Sequence, residues 1–345
     1  MSPSICMIIL SSLATGTIIV MTSHHWLFAW LGLEMNTLAI IPTIATTHNP
    51  RSTEAATKYF LTQAAASALI LFSSTINAWQ MGTWDITSTL SVPAHILLTL
   101  ALAMKLGLAP MHFWLPEVLQ GVTLITALII STWQKLAPLT LIYLTINNLS
   151  STILIILGLL SAIVGGWGGL NQTQTRKIMA YSSIAHLGWM LSISSIMVNI
   201  MILNLLVYLI LTTGLFCFLI AAQSKTILDT MMTWTLSPML TSVMMILLLS
   251  LGGLPPLTGF MPKWLILQEL VIQNLTSVAI MLTIATLLSL FFYLRLTYTT
   301  ALMLPPNMMQ TKLKWRLKPT LPTLLVVTSS VMSTFFLPMT PLFVL

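Results

Sequence analysis

Four ionisable side chains lie inside stretches of sequence that are otherwise apolar. They are one carboxylate, Glu34, and three lysines, Lys105, Lys135 and Lys263. A lone charge at the centre of a membrane helix costs on the order of 2.5–3.5 kcal/mol, so such residues usually face a protein interior or water and take part in function. Removal from water favours the neutral form of a lysine, whereas a nearby carboxylate favours the charged form. We therefore expect these residues to carry protons along a chain of titratable sites within the membrane plane.

A fixed ion pair between Glu34 and one lysine is the structural alternative. It accounts for two of the four groups and leaves two lysines without a partner. His186 is a further candidate, because it lies in the middle of a predicted helix and imidazole exchanges protons near neutral pH. A hydrogen-bonded structural histidine is the alternative for His186. Lys58 follows Glu54 by one helical turn and is expected to form an ordinary i,i+4 pair with it.

Composition limits the kind of protein that can hold these residues. The chain has 345 residues, of which 57% are hydrophobic and 6% are charged. Soluble domains carry about 25% charged residues, so a cytosolic enzyme, a nucleic-acid-binding domain and a disordered chain are excluded. No group of cysteine, histidine or carboxylate residues has the spacing of a metal, haem or iron–sulfur site. We expect this chain to bind no cofactor, no metal and no nucleic acid.

The distribution of apolar residues predicts an all-α membrane protein with eleven transmembrane helices. About 20 mostly apolar residues cross the hydrocarbon core as a helix, and long apolar runs without period-2 alternation argue against a β-barrel. We expect residues 1–345 to form a single polytopic membrane domain. The eleven predicted segments are 3–21, 25–45, 53–78, 92–121, 123–145, 150–170, 176–196, 198–222, 237–272, 275–298 and 320–340.

Two of these segments are too long for one straight span and are interrupted. The fourth contains Gly107–Pro110 and the ninth contains Gly252–Pro256. Proline lacks a backbone donor and clashes with the preceding turn. Irregular backbone at membrane depth is tolerated only where protein buries it or water reaches it, and interrupted helices commonly mark transport sites. Because Lys105 and Lys263 lie beside the two breaks, we expect a transport role there; packing kinks without such a role are the alternative.

The basic residues of the connecting segments fall on one side of the predicted membrane. Eight Lys or Arg residues lie on the side that holds the N-terminus and none lie on the other side. Positive charge is retained on one side of a membrane, so the N-terminus is predicted on that side and the C-terminus opposite. The last four of the eight form a basic loop that either touches anionic lipid or serves only as a retention signal. The eight are Arg51, Arg176, Lys177, Lys225, Lys312, Lys314, Arg316 and Lys318.

Several longer motifs resemble those of the antiporter-like subunits of respiratory complex I, in the form found in animal mitochondria. The resemblance covers essentially the whole chain. It implies an antiporter-like fold with two inverted five-helix repeats, each holding one broken helix. Animal members lack three N-terminal helices of the fourteen-helix family fold, which agrees with the predicted count. The motifs are His48–Phe60, Lys105–Glu117, Gly168–Thr173 with Arg176–His186, and Leu251–Phe260 with Lys263-Trp264.

The resemblance also implies roles for individual residues. In the family, a glutamate pairs with the lysine of the first broken helix, and Glu34 and Lys105 match these positions. The next helix carries a central lysine, matched by Lys135, and the second broken helix carries a terminal lysine, matched by Lys263. His186 matches a histidine on a relay helix. The absent N-terminal helices leave open how this chain meets its neighbours.

These features predict a proton-translocating subunit of complex I, the H+-translocating NADH:ubiquinone reductase. The resemblance implies that NADH, FMN, iron–sulfur clusters and ubiquinone act in other subunits, and that this chain has no redox centre. Expected partners are the other membrane subunits and membrane lipids, with cardiolipin as a candidate. The expected location is the mitochondrial inner membrane, with the N-terminus on the matrix side and the C-terminus on the intermembrane-space side. A stand-alone cation/proton antiporter and a purely structural membrane subunit are the alternatives.

Overall fold

The computed structural model describes residues 3–236, 238–302 and 323–339. These residues form helices and turns and include no β-strand. The predicted basic loop Lys312–Lys318 lies outside the described residues. The chain groups into two compact units, Met1–Ser161 and Ala162–Leu345. The α-helices are α1 (Pro3–Thr22), α2 (Trp26–Ile44), α3 (Pro50–Met81), α4 (Val92–Leu106), α5 (Trp114–Gly121), α6 (Leu124–Ser131), α7 (Trp133–Thr145), α8 (Ser151–Gly169), α9 (Thr175–Ser194), α10 (Val198–Ala222), α11 (Ile227–Met231), α12 (Thr233–Leu236), α13 (Pro238–Gly252), α14 (Phe260–Ile272), α15 (Thr276–Leu302) and α16 (Thr323–Phe335).

Seven described stretches are long and apolar enough to cross a membrane, judged by length and composition. They are α1, α2 with its following 3-10 turn, α3, α6 together with α7, α8, α10 and α15. Helices α4 and α13 and the apolar part of α16 are shorter. The predicted count of eleven is larger than the seven spans recognised in this way. Of the other four predicted segments, two are each divided into a pair of shorter helices, α16 is short, and α9 is not among the stretches that are apolar enough.

In the first unit, α1 and α2 approach closely through a pair of glycines. A Cβ atom added to Gly32 would lie 2.8 Å from the carbonyl oxygen of Gly16, and one added to Gly16 would lie 3.0 Å from the carbonyl oxygen of Gly32. Small residues allow this kind of contact between membrane helices. Helix α2 also packs against α3 and α7. This packing holds the segment that carries Glu34 among the other helices of the unit.

The two interrupted segments end their first helices with the same turn. Gly107 after α4 has φ +76° and Gly253 after α13 has φ +80°, in the left-handed region that favours glycine. The linkers to α5 and α14 are residues 107–113 and 253–259, and each contains a cis X–Pro bond. Lys105 lies on α4, the helix before the first linker, whereas Lys263 lies on α14, the helix after the second linker.

The sequence predicted one continuous helix for the fifth segment, 123–145. The structure instead has two helices, α6 and α7, separated at Thr132. Thr132 has φ −112° and ψ −69°. Its hydroxyl donates to the carbonyl oxygen of Leu128 at 2.7 Å, a type of bond that bends helices. The Lys135 N–H then bonds to the Thr132 carbonyl, three residues back, at 3.3 Å. The backbone is therefore irregular immediately before Lys135.

In the second unit, α9 forms the centre and α10, α14 and α15 pack against it. Every residue of α9 from Ser182 to Ser194 is buried. Gly165 of α8 lies so close that an added Cβ atom would be 2.6 Å from the Ala185 backbone nitrogen. These contacts place His186, the next residue, deep in the interior of this unit.

Candidate functional site

The three predicted lysines are all buried, which is unusual for this residue type. The exposed fractions of Lys105, Lys135 and Lys263 are 6%, 4% and 8%. Each lysine lies within a few residues of an irregular stretch of backbone: the two linkers and the turn at Thr132. The lysines are therefore interior groups of the described structure; that they lie beside interrupted transmembrane helices stays a prediction.

Lys105 lies in the last turn of α4, where unpaired carbonyl groups give the helix end a partial negative charge. Its Nζ atom is buried and has no hydrogen-bond partner among the described residues. Glu34 of α2 is half-buried and interacts with Lys105 electrostatically. No ion-pair contact within 4.0 Å joins the two described side chains. The structure therefore brings the predicted pair into electrostatic range without direct contact.

A small cavity lies beside Lys105 and is lined by neutral polar side chains. They include Asn36 of α2, Tyr59 and Gln63 of α3, and Gln134 of α7. The Tyr59 hydroxyl donates to Gln134 Oε1 at 3.4 Å, whereas amide groups of Asn36, Gln63 and Gln134 include buried atoms with no hydrogen-bond partner among the described residues. The sequence prediction missed these residues, although amide side chains within apolar helices are a detectable signal.

Lys135 lies in the first turn of α7, immediately after the irregular residue Thr132. Backbone N–H groups at a helix start carry partial positive charge, so this setting opposes a positive side chain. Its neighbours Gln134, Ala137 and Pro138 line the cavity that also contains Lys105. Lys105 and Lys135 therefore belong to one region of the first unit.

Lys263 has a different environment from Lys105. Its Nζ atom donates to the carbonyl oxygens of Gly252 at 2.9 Å and Leu251 at 3.4 Å, at the end of α13. Among the described residues, no carboxylate oxygen lies within 4.0 Å of this atom. The helix end, rather than an acidic side chain, is the negative partner of Lys263.

His186 lines a second cavity together with Lys263, within the second unit. Its Nε2 atom lies 3.5 Å from the Tyr293 hydroxyl, at the limit of hydrogen bonding, and its ring centroid lies 5.4 Å from that of Tyr208. Trp189 completes the aromatic part of the lining. The sequence prediction missed Tyr208 and Tyr293, since nothing in their local sequence distinguishes them from other aromatic residues of apolar helices.

A separate charged cluster lies on the outside of the first unit. The predicted pair of Lys58 and Glu54 is confirmed, with Nζ and Oε1 2.5 Å apart. Glu117 of α5 adds a second contact to Lys58 at 2.6 Å. The three side chains are 41–61% exposed, so they form a surface group distinct from the buried lysines.

Comparison with known proteins decides the family. A model described as "NADH:quinone oxidoreductase/Mrp antiporter, TM" matches residues 23–289, and one described as "NADH dehydrogenase subunit 2 C-terminus" matches residues 290–344. NADH-ubiquinone oxidoreductase chain 2 of Polypterus ornatipinnis is 55% identical over 341 residues, 99% of this chain and 98% of that protein. This chain belongs to the NADH-ubiquinone oxidoreductase chain 2 family. The protein of the same name from Varanus timorensis is 55% identical over 344 residues and 100% of both chains.

The fold of this chain 2 family member is also found in a bacterial complex. A chain of respiratory complex I from Thermus thermophilus superposes with a TM-score of 0.81 at 26% identity, over 96% of this chain and 78% of that chain. The resemblance to complex I antiporter-like subunits is therefore confirmed for family and fold. The roles of Glu34, Lys105, Lys135, His186 and Lys263 remain predictions.

Proposed function

We propose that this chain is a proton-translocating membrane subunit of respiratory complex I, driven by redox chemistry in other subunits. Membership of the chain 2 family over essentially the full length supports the assignment to this enzyme. The observation that carries proton transfer is the burial of three lysines beside irregular backbone, at 6%, 4% and 8% exposure. Buried ionisable groups in membrane proteins commonly form proton relays.

The proposed topology has eleven spans in one polytopic domain. Seven stretches qualify by length and composition, and four more arise if α4 with α5, α9, α13 with α14, and α16 each complete a crossing. In this proposal the two linkers interrupt transmembrane helices. The distribution of Lys and Arg supports a matrix-side N-terminus and an opposite C-terminus.

In the first unit, Glu34 and Lys105 form the proposed entry pair of the relay and Lys135 receives the proton. The unpartnered amide groups of Asn36 and Gln63 support this route, because buried polar atoms without protein partners usually bind ordered water. Water in this cavity would lie beside Lys105 and beside Gln134, the residue that precedes Lys135. A change in the charge of Glu34 would alter how readily Lys105 holds its proton.

In the second unit, Lys263 is the proposed terminal carrier and His186 a relay group beside it. The two side chains line the same cavity, and the Tyr293 hydroxyl lies within 3.5 Å of the imidazole. Imidazole can accept a proton on one nitrogen and donate one from the other. His186 can therefore pass a proton without a large movement of its backbone.

The proposed setting is the mitochondrial inner membrane, with other complex I membrane subunits as partners. Membrane lipids are further partners, with cardiolipin as a candidate for basic surface residues. NADH, FMN, iron–sulfur clusters and ubiquinone are used by other subunits in this proposal. The buried ionisable residues of this chain carry protons when redox chemistry takes place in those subunits.

The test compares Lys135→Arg with Lys135→Met at the equivalent position of an editable bacterial complex I. Arginine keeps the charge but does not release its proton. If Lys135 carries protons, both variants should lower proton flux per NADH by about tenfold or more, as for loss of a proton-transfer group. The measurement is proton uptake by sealed vesicles, normalised to assembled complex. Near-normal flux in the arginine variant would reduce Lys135 to a fixed charge.

Two further measurements separate the alternative functions. A stand-alone antiporter would exchange protons for cations when the isolated chain is placed in liposomes, and we expect no exchange without the rest of the complex. A purely structural subunit would tolerate Lys135→Met with full pumping, provided that assembly is unchanged. The family description that also names the Mrp antiporter makes the liposome measurement necessary.

A further inference from the structure

Helix α13 ends in a turn whose N–H groups donate hydrogen bonds to only two of the last four carbonyl groups of the helix. An α-helix leaves its final four carbonyl oxygens without intrahelical partners. The Leu254 N–H bonds back to the Leu249 carbonyl at 3.3 Å, and the Gly253 N–H bonds to the Ser250 carbonyl at 3.0 Å. This pair of bonds is a Schellman turn, which requires a left-handed residue at Gly253. Two terminal carbonyl groups, those of Leu251 and Gly252, remain for another donor.

Lys263 is that donor. Its Nζ atom lies 2.9 Å from the Gly252 oxygen and 3.4 Å from the Leu251 oxygen, although these residues precede it by 11 and 12 positions. The end of a helix carries a partial negative charge and stabilises a nearby cation. The ammonium group therefore completes the hydrogen bonding of α13 and gains a negative partner.

This contact depends on the missing side chain of Gly253. A Cβ atom added at this position would lie 2.8 Å from Lys263 Nζ and 2.9 Å from its Cδ. Cβ contacts below 3.0 Å are essentially never seen, so the flexible end of the lysine would have to shift away from its present position. Gly253 thus serves two needs at once: its φ of +80° permits the turn, and its lack of a side chain leaves room for the ammonium group.

We propose that Gly253 is a positioning residue for Lys263, and that the end of α13 supplies the counter-charge that a carboxylate supplies for Lys105. This inference rests on the proposed proton-carrying function of Lys263. The carbonyl groups hold the loaded, positively charged lysine. Movement of α14 relative to the end of α13 breaks the contact and favours release of the proton.

Gly107 provides a matched control for this proposal. It occupies the same turn after α4, with φ +76°, so Gly107→Ala produces the same kind of backbone strain. The nearest atoms to its added Cβ belong to Leu115 at 3.0 Å and Trp114 at 3.3 Å, and not to a lysine. The difference in proton flux between Gly253→Ala and Gly107→Ala therefore reports the loss of the contact with Lys263, because both variants introduce backbone strain in the turn.

The experiment introduces both alanine variants into the bacterial complex and measures proton flux per NADH for equal amounts of assembled enzyme. We expect Gly253→Ala to lose several-fold more flux than Gly107→Ala. A rescue tests the charge: Ser289 lines the same cavity as Lys263, so adding Ser289→Asp to Gly253→Ala should restore part of the flux. Ser289→Asn, which has the same size without the charge, should not.

Equal flux in the two alanine variants overturns the proposal, as does equal rescue by Asp and Asn, which would indicate a steric effect alone. If Gly253→Ala does not assemble, high-resolution maps of the unsubstituted complex decide. Lys263 Nζ must lie on the Gly252 carbonyl in at least one state; its absence there in every state overturns the inference. Lys263→Met is measured in parallel. Normal proton flux in Lys263→Met would contradict the proposed function of Lys263 itself. If Lys263→Met loses flux while Gly253→Ala keeps as much flux as Gly107→Ala, only the proposed role of Gly253 is wrong.

Discussion

The two interrupted helices use the same backbone device but treat their lysines differently. In each, a left-handed glycine ends the first helix and a seven-residue linker leads to the second. Lys105 lies before its linker, has no hydrogen bond among the described residues and interacts with Glu34 at a distance. Lys263 lies after its linker and donates directly to the carbonyl groups of α13.

This difference separates two ways to stabilise a buried cation. A carboxylate carries a full charge that protonation can cancel, so its influence on a lysine can be switched by chemistry. The end of a helix carries only a partial charge that is fixed, so its influence changes only when the geometry changes. The first unit is therefore suited to control by charge, and the second to control by movement.

The largest expected effect follows removal of either lysine. Lys105→Met and Lys263→Met should each lower proton flux per NADH by about tenfold or more. Their effects on stability should differ. Lys263→Met leaves two buried carbonyl groups without a donor, at about 1–3 kcal/mol for each unsatisfied group. Lys105→Met breaks no hydrogen bond among the described residues and removes only a distant interaction with Glu34, so it should cost less stability.

Thermal inactivation of the purified complexes measures that difference. The Lys263→Met complex should lose activity, followed as NADH oxidation, at a lower temperature than the Lys105→Met complex. Both variants replace lysine by methionine, so the change in side-chain shape is the same and does not contribute to the difference in thermal midpoint. If the two complexes have the same thermal midpoint, the carbonyl contacts of Lys263 do not contribute to stability.

The next effect concerns the carboxylate of the first unit. Glu34→Gln keeps the shape of the side chain and removes its charge, so Lys105 loses its only acidic partner among the described residues. We expect proton flux to fall roughly tenfold at most, with normal assembly. The same vesicle assay measures it, with assembly followed by native gel. Unchanged flux and turnover would remove Glu34 from the mechanism.

A smaller effect should follow loss of a cavity amide. Gln63→Met retains the length of the side chain but replaces a buried amide that includes an unpartnered atom. If that amide holds water between Lys105 and Lys135, flux should fall about two- to fivefold, or roughly 1 kcal/mol for one lost hydrogen bond. Ser67→Ala is the control, since Ser67 is buried on the same helix and its hydroxyl donates to the Ala64 carbonyl of that helix at 2.9 Å. Equal flux in both variants would exclude a role for Gln63.

The main features of the site could be predicted from the sequence because each has a local signal. Isolated charges in apolar runs identified Glu34 and the three lysines, and Gly–Pro clusters identified the two linkers. The break at Thr132 was not predicted. The Thr132 hydroxyl bonds to the Leu128 carbonyl there, but Thr212 makes the same kind of bond within the continuous helix α10, so such a bond does not signal a break. A threonine in an apolar run is otherwise compatible with a continuous helix.

Long-range partners could not be predicted. The contact of Lys263 with the end of α13 requires a linker that folds back, and the pairing of Tyr293 with His186 joins residues 107 positions apart. The count of eleven spans likewise depends on pairing short helices across linkers. Sequence hydropathy describes the length of each apolar run, whereas these features depend on how the runs are arranged in space.

The smallest expected effect belongs to the surface cluster on the first unit. Glu117 of α5 contacts Lys58, whereas Glu269 of α14, in the second unit, has no ion-pair contact among the described residues. Exposed ion pairs contribute little to stability, so Glu117→Gln should leave proton flux unchanged and lower the thermal midpoint only slightly. That decrease should disappear in about 1 M salt, where the screening length is roughly 3 Å.

Glu269→Gln is the control and should show no salt-dependent change in the thermal midpoint. A large loss of flux in Glu117→Gln would instead show that this cluster takes part in proton transfer, and would extend the proposed control by charge from Glu34 and Lys105 to the surface of the first unit.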